Sequence, residues 1–189
     1  MSRIITTEEQ MTARLIGIIG ADFRIAREVW IRPALHRNRM RVDVLAVPKA
    51  PDLSDLAVAF EVKAEQDWTI PELAKALKQA QDYVGGTIEV GQGLGVYEGK
   101  AICAAFVFPG LPPGLDMKPS SKDAFLGGMA HLASYSRVGS AYFAEGRGSP
   151  LVLRCPDRIW EERRGWFAAA RPVLAGKRQA GSQRLGWQA

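Results

Sequence analysis

Three ionisable side chains interrupt two apolar segments of this 189-residue chain. Asp43 stands inside Arg41-Val42-Asp43-Val44-Leu45-Ala46-Val47, and Glu61 and Lys63 stand inside Leu56–Ala64. An unpaired ion inside a buried strand costs several kcal/mol, so such residues need partners or a task. Two carboxylates brought together repel, and one pKa rises unless a cation lies between them. Mg2+ meets that need. It takes one or two carboxylates and completes its shell with waters and phosphate oxygens. A neighbouring lysine can then orient or deprotonate an attacking water, or offset charge in the transition state. With two histidines, His36 and His131, and two cysteines, Cys103 and Cys155, a hard-metal site in this chain must be built from carboxylates.

The elements that must position these groups can be read from periodicity. If residues 41–47 and 57–63 form a hairpin centred near residue 52, paired positions sum to about 104 and Asp43 lies opposite Glu61. Directly opposed residues share a face, with Cβ atoms about 4.5–5.5 Å apart. Lys63, two positions on, shares that face. Downstream, Thr69 suits a helix N-cap, with Pro71 and Glu72 in the first turn. Leu73, Leu77, Ala80 and Val84 form a buried stripe, and Gly85-Gly86 stop the helix. Gln79 and Tyr83 are one turn apart on a face beside that stripe, where they can hydrogen-bond a water or a phosphate.

The remaining chain supplies the layers. Thr6 or Thr7 caps an amphipathic helix carrying Met11, Leu15, Ile18 and Ile19 and ending near Gly20. Phe23–Arg32 alternates as a strand, with Phe23, Ile25, Val29 and Ile31 expected on one side. Residues 100–108 form a buried strand, 122–135 a helix, and 139–143 and 150–154 short strands. Trp160 begins a helix expected to run to Arg171, followed by a basic tail. Gly91–Gly99 lacks the Lys-Ser/Thr of a phosphate-binding loop and reads as turns. The expectation is an α/β domain over residues 1–159, with a mixed central sheet flanked by helices, and a basic C-terminal helix and flexible tail over 160–189.

The run Val42-Asp43-Val44-Leu45-Ala46-Val47, then Phe60-Glu61-Val62-Lys63, then Gln79-Ala80-Gln81-Asp82-Tyr83 resembles the PD-(D/E)XK nuclease superfamily, in particular its RecB-like exonuclease branch. The resemblance covers about residues 8–110 and implies a restriction-endonuclease-like core. It implies Mg2+-dependent hydrolysis of DNA phosphodiesters, with Mn2+ as a substitute. It makes Asp43, Glu61 and the main-chain carbonyl of Val62 the metal ligands, gives Lys63 to the water nucleophile, and assigns Gln79 and Tyr83 to the site and the DNA. The family often carries an upstream glutamate, for which Glu28 is the first candidate and Glu8 and Glu9 are weaker ones. The Asp43-to-Glu61 spacing of 18 is longer than in many members, and the Pro-rich loop between them absorbs the excess. Asp52 of the literal Pro51-Asp52 pair is set aside because it falls at the hairpin tip, far from Glu61. Such residues serve endo- and exonucleases alike, and a compact nuclease that cuts both strands often works as a homodimer.

Charge adds a second strand of inference. Residues 1–150 carry 17 basic and 17 acidic side chains, whereas residues 151–189 carry eight and three, so the whole excess of +5 lies in the C-terminal fifth. Arg24, Arg27, Arg32, Arg37, Arg39 and Arg41 crowd one segment against Glu28 alone. Of these, Arg24, Arg27, Arg37, Arg39 and Arg41 are candidate contacts to nucleic-acid phosphates. His36 in the same segment reads as a surface residue that can touch a phosphate, and Trp68 as a rim residue that can stack on a base. The alternative reading is a non-catalytic nucleic-acid-binding or assembly protein on the same scaffold. Ala101–Leu115, the longest uncharged apolar stretch, is interrupted by prolines and is shorter than the roughly 20 residues that span a bilayer. The charged start, Met1–Gln10, does not read as a secretory signal, and the two cysteines read as reduced core residues, so a cytoplasmic location is expected.

Overall fold

The computed structural model describes residues 7–54, 56–64, 68–110, 126, 128–129, 132–133, 135–143, 150–154, 158–162 and 165–168. Helix α1 (Glu8–Ile19) opens on a capping box. The Thr7 hydroxyl accepts the Gln10 N–H at 3.2 Å, and the Gln10 side chain accepts the Thr7 N–H at 2.9 Å. Just past its C-terminus, Lys49 Nζ donates to the carbonyls of Gly20 and Ala21 at 2.8 and 3.1 Å, a favourable place for a cation. Helix α2 (Ile70–Tyr83) opens on a second capping box, Thr69 with Glu72, and its chain turns away through Gly85 at φ 76°.

The strands are β1 (Phe23–Arg32), β2 (Met40–Pro48), β3 (Ala57–Val62), β4 (Thr87–Ile88), β5 (Ile102–Phe108), β6 (Val138–Phe143), β7 (Leu151–Arg154), β8 (Arg158–Glu161) and β9 (Gly165–Ala168). They form one nine-stranded sheet in the order β4-β1-β2-β3-β5-β6-β7-β8-β9. The β1–β2–β3 meander is antiparallel, β3–β5–β6 is parallel, and β6 through β9 are antiparallel, so the α/β fold has the expected mixed sheet. Helix α2 lies in the β3-to-β5 crossover that a parallel pair requires.

The sheet separates two apolar clusters. On one side Met11, Leu15 and Ile19 of α1 pack with Phe23, Val44, Ala46, Phe60, Phe106 and Trp160. On the other, Leu73, Ala76, Leu77, Ala80 and Tyr83 of α2 pack with Leu45, Ala59, Ala105 and Val107. Strand β3 is covered on both sides, and every one of its residues is buried.

Two expectations are corrected. Phe23 and Ile25 face the α1 cluster, but Val29 and Ile31 face the α2 cluster, so the odd-numbered residues of β1 do not share one side. Glu28 adopts φ 53° between them, and a single left-handed residue shifts the alternation by one. The helix expected from Trp160 does not form: Trp160 lies in β8, which pairs with β7 and β9. Its indole meets Phe23 edge-on at 5.4 Å between ring centroids, and its Nε1 donates to Asp22 at 3.2 Å. That aromatic contact from the far end of the chain outweighs local helix propensity. The expected boundary at 159/160 therefore falls inside a strand of the same sheet. Of the expected helix over 122–135, residues 126, 128, 129, 132, 133 and 135 are described; the first five are helical, and Tyr135 already lies in a turn. The tail over 169–189, His131 and Cys155 lie outside the described residues. No described helix is long and apolar enough to cross a membrane.

At Gly139 a Cβ would fall 2.3 Å from the Arg154 carbonyl oxygen and 2.7 Å from the Phe106 ring. Gly139→Ala should therefore lower stability by about 2–3 kcal/mol, as overpacking does, and thermal or urea unfolding measures it.

Candidate active site

The β2–β3 ladder pairs Val44 with Phe60, Leu45 with Ala59 and Ala46 with Val58, so partners sum to the expected value and the next pair in line is Asp43 with Glu61. The ladder stops there. The Val62 N–H turns to the side chain of Asp43 and donates to Oδ2 at 2.8 Å. Glu61 is 1% exposed, a carboxylate within the core. It is held there by two donors. Lys63 Nζ forms an ion pair with Oε1, and the Tyr83 hydroxyl of α2 donates to Oε2 at 2.5 Å. The same hydroxyl lies 3.2 Å from the Arg41 carbonyl oxygen. Lys63 Nζ is also 3.9 Å from Oε1 of Glu8, in the first turn of α1. Helices from opposite sides of the sheet thus meet at the end of β3.

The electrostatics follow from this geometry. Burial, then the charge of Glu61, push the Asp43 carboxyl up to about 6, against the lowering effects of the Val62 N–H and of Lys63. Burial alone would lower the Lys63 amine, but the hydrogen bond to Glu61 and the charges of Glu61, Glu8 and Asp43 outweigh it, so it is raised and stays an ammonium. Burial and the adjacent Glu61 carboxylate raise the Tyr83 phenol, which stays a proton donor.

Gln79, one turn before Tyr83, has a buried side-chain oxygen with no hydrogen-bond partner among the described residues. A buried acceptor without a donor at such a place suits a bound water. The donor set is hard oxygen. Among the described residues no group of three or more His, Cys, Asp or Glu side chains lies at metal-ligand spacing; the carboxylates at the end of the ladder are Asp43 and Glu61. Two carboxylates, with water and substrate oxygens completing the shell, suit Mg2+.

Other candidates fall elsewhere. The Glu28 carboxylate is not among the partners of Asp43, Glu61 or Lys63. It lies 3.7 Å from Arg41 Nη1 and is largely exposed. The upstream acid that does reach the cluster is Glu8, whose sequence signal was its place just after the Thr7 cap. Arg24 donates to the Tyr97 hydroxyl at 2.8 Å, Arg27 pairs with Glu9 at 2.8 Å, and Arg39 pairs with Glu89. The arginine segment is therefore laced with acids that are remote in sequence, and Arg37 is exposed without a described partner. Trp68 is buried in the α2-side cluster and offers no face to a base. Among the described tryptophan side chains Trp30 is the exposed one, with the Arg39 guanidinium 4.8 Å from its ring centroid. His36 lies over α2, its Nε2 3.8 Å from Oδ2 of Asp82, which also accepts from Lys78 at 2.6 Å. In the glycine-rich loop the amides of Gly91, Gln92 and Leu94 surround the carboxylate of Glu98 at 2.8, 2.8 and 3.1 Å, so the loop's donors are satisfied from within the chain. Asp52 lies in a 3-10 turn, Pro51–Leu53, between β2 and β3, at the far end of the hairpin from Glu61.

Comparison with protein-family models, with curated proteins and with solved structures finds no match for this chain.

Two outcomes test the site's energetics. The Asp43 carboxyl is raised from 3.8 to about 6, so the stability it contributes is present below pH 4 and is lost as pH rises through 6. Without added metal, Asp43→Asn should match the parent protein near pH 4 and exceed it above pH 6 by on the order of 1 kcal/mol, discounted for partial exposure. Thermal melts across that range measure the difference. Tyr83→Phe removes a donor from the buried Glu61 and should cost about 1–3 kcal/mol in urea unfolding at pH 7.

Proposed function

We propose that the chain is a Mg2+-dependent nuclease of the PD-(D/E)XK type that hydrolyses DNA phosphodiester bonds. The observation that carries this reading is the convergence of Asp43, Glu61 and Lys63 at the end of the β2–β3 ladder, with Tyr83 of the crossover helix on the same carboxylate. The order of helix, antiparallel meander, crossover helix and parallel strand supports a restriction-endonuclease-like core.

In this reading Asp43 and Glu61 hold Mg2+, with the Val62 carbonyl as the third protein oxygen that the family pattern assigns. The bound ion supplies Lewis-acid stabilisation of charge on the phosphate and makes water a better nucleophile. The chain's own groups do the positioning. Asp43 is held by the Val62 N–H, so its carboxylate enters the site in a set direction. Glu61 is fixed by the Tyr83 hydroxyl, which leaves little conformational freedom to lose when substrate binds. Lys63, kept cationic by Glu61 and Glu8, orients the attacking water through its N–H bonds and offsets negative charge as the phosphate reaches five-coordination. The Gln79 oxygen, one turn before Tyr83 and without a partner among the described residues, would accept a hydrogen bond from a water.

Incubation with linear, circular and single-stranded DNA should show cleavage with Mg2+ or Mn2+ and none with EDTA. Asp43→Ala and Lys63→Ala should each reduce the rate at least about 100-fold while circular dichroism stays native. Retained cleavage in either variant rejects the assigned roles. Salt-sensitive DNA binding without cleavage under any divalent ion would instead favour a binding protein on this scaffold.

A further inference from the structure

Glu28 stands at a discontinuity that the cluster depends on. The β1–β2 register runs through Arg27–Val44 and Val29–Val42, which leaves Glu28 directly across from Asp43. At this level both strands change sides. Phe23 and Ile25 face the α1 cluster while Val29 and Ile31 face the α2 cluster. On β2, Val44 and Ala46 face the α1 cluster while Val42 and Met40 face the α2 cluster. Glu28 has φ 53°, a left-handed conformation that is costly for a residue with a Cβ and unusual within a strand. A residue at the switch belongs to neither face. Asp43 occupies that position on β2, and its Oδ2 reaches across the ladder to the Val62 N–H.

We propose that Glu28 is a positioning residue that acts through its backbone: the left-handed conformation imposes the change of side on β1 and β2 and so directs the Asp43 carboxylate along the sheet toward β3 and Glu61. The carboxylate of Glu28 has no part in this. It is largely exposed and pairs loosely with Arg41. The consequence for hydrolysis rests on the nuclease reading, whereas the consequence for Asp43 does not.

Four substitutions separate backbone from side chain. Glycine adopts φ 53° freely and asparagine tolerates it, whereas a β-branched valine resists it and alanine lies between. The Val62 amide reports the position of Asp43 by its hydrogen exchange and chemical shift, independently of metal or activity. Glu28→Gly and Glu28→Asn should keep Val62 exchange and DNA hydrolysis within about twofold of the parent protein. Glu28→Val should speed Val62 exchange and slow hydrolysis, each by about tenfold or more, with native circular dichroism. A valine variant indistinguishable from the parent overturns the proposal. So does a glycine variant that keeps the Val62 amide but loses hydrolysis, because the carboxylate would then act directly. If the valine variant does not fold, the Ala and Gly variants decide: faster Val62 exchange in Glu28→Ala than in Glu28→Gly supports the proposal, and equal exchange overturns it. Should the parent protein cleave no DNA with any divalent ion, the nuclease reading fails while the Val62 comparison still decides the role of Glu28.

Discussion

Two carboxylates lie withdrawn from water at the end of the β2–β3 ladder, and the loss of their hydration, followed by their mutual repulsion, sets what each one requires. Asp43 takes a backbone N–H, and Glu61 takes a lysine ammonium and a tyrosine hydroxyl. These partners keep Glu61 in place at almost full burial, yet they leave Asp43 with a carboxyl pushed up to about 6. Burial is the first cause of that rise and the charge of Glu61 the second.

The surrounding fold supplies what such a cluster requires. Strand β3 is buried along its whole length, so its C-terminal end is a rigid support for Glu61 and Lys63. Helix α2 crosses from β3 to β5 and sets Tyr83 over Glu61 from one side of the sheet, while the capped start of α1 brings Glu8 to Lys63 from the other. The arginines of β1 and the following turn are engaged largely with Glu9, Glu89 and Tyr97, which tie the β1–β2 hairpin to α1 and to the loop after β4.

Much of this was legible in the residues. The hairpin register follows from where two apolar runs begin and end, and the observed partners sum as the symmetric hairpin requires. The helix caps at Thr7 and Thr69 are local signals and appear as expected. Other features were not legible. Phe23, Ile25, Val29 and Ile31 have ideal period-two spacing, and spacing alone carries no sign of the left-handed residue that sends them to opposite faces. The segment at Trp160 has helical composition, but its place as a strand is set by Phe23 and Asp22, more than a hundred residues away in the chain. The burial of Trp68 and the exposure of Trp30 likewise depend on which elements cover them.

Residue types and spacing were enough to bring Asp43, Glu61, Lys63 and Tyr83 together and to say which strands and helix hold them, because hydrophobic periodicity, caps and hairpin symmetry act over a few residues at a time. Contacts between elements set the rest: Glu8 rather than the Glu28 carboxylate joins the cluster, four of the six arginines between Arg24 and Arg41 pair with acids, and Asp43 lies at a change of side. Those outcomes depend on how separate elements pack against one another, which leaves no trace in local spacing.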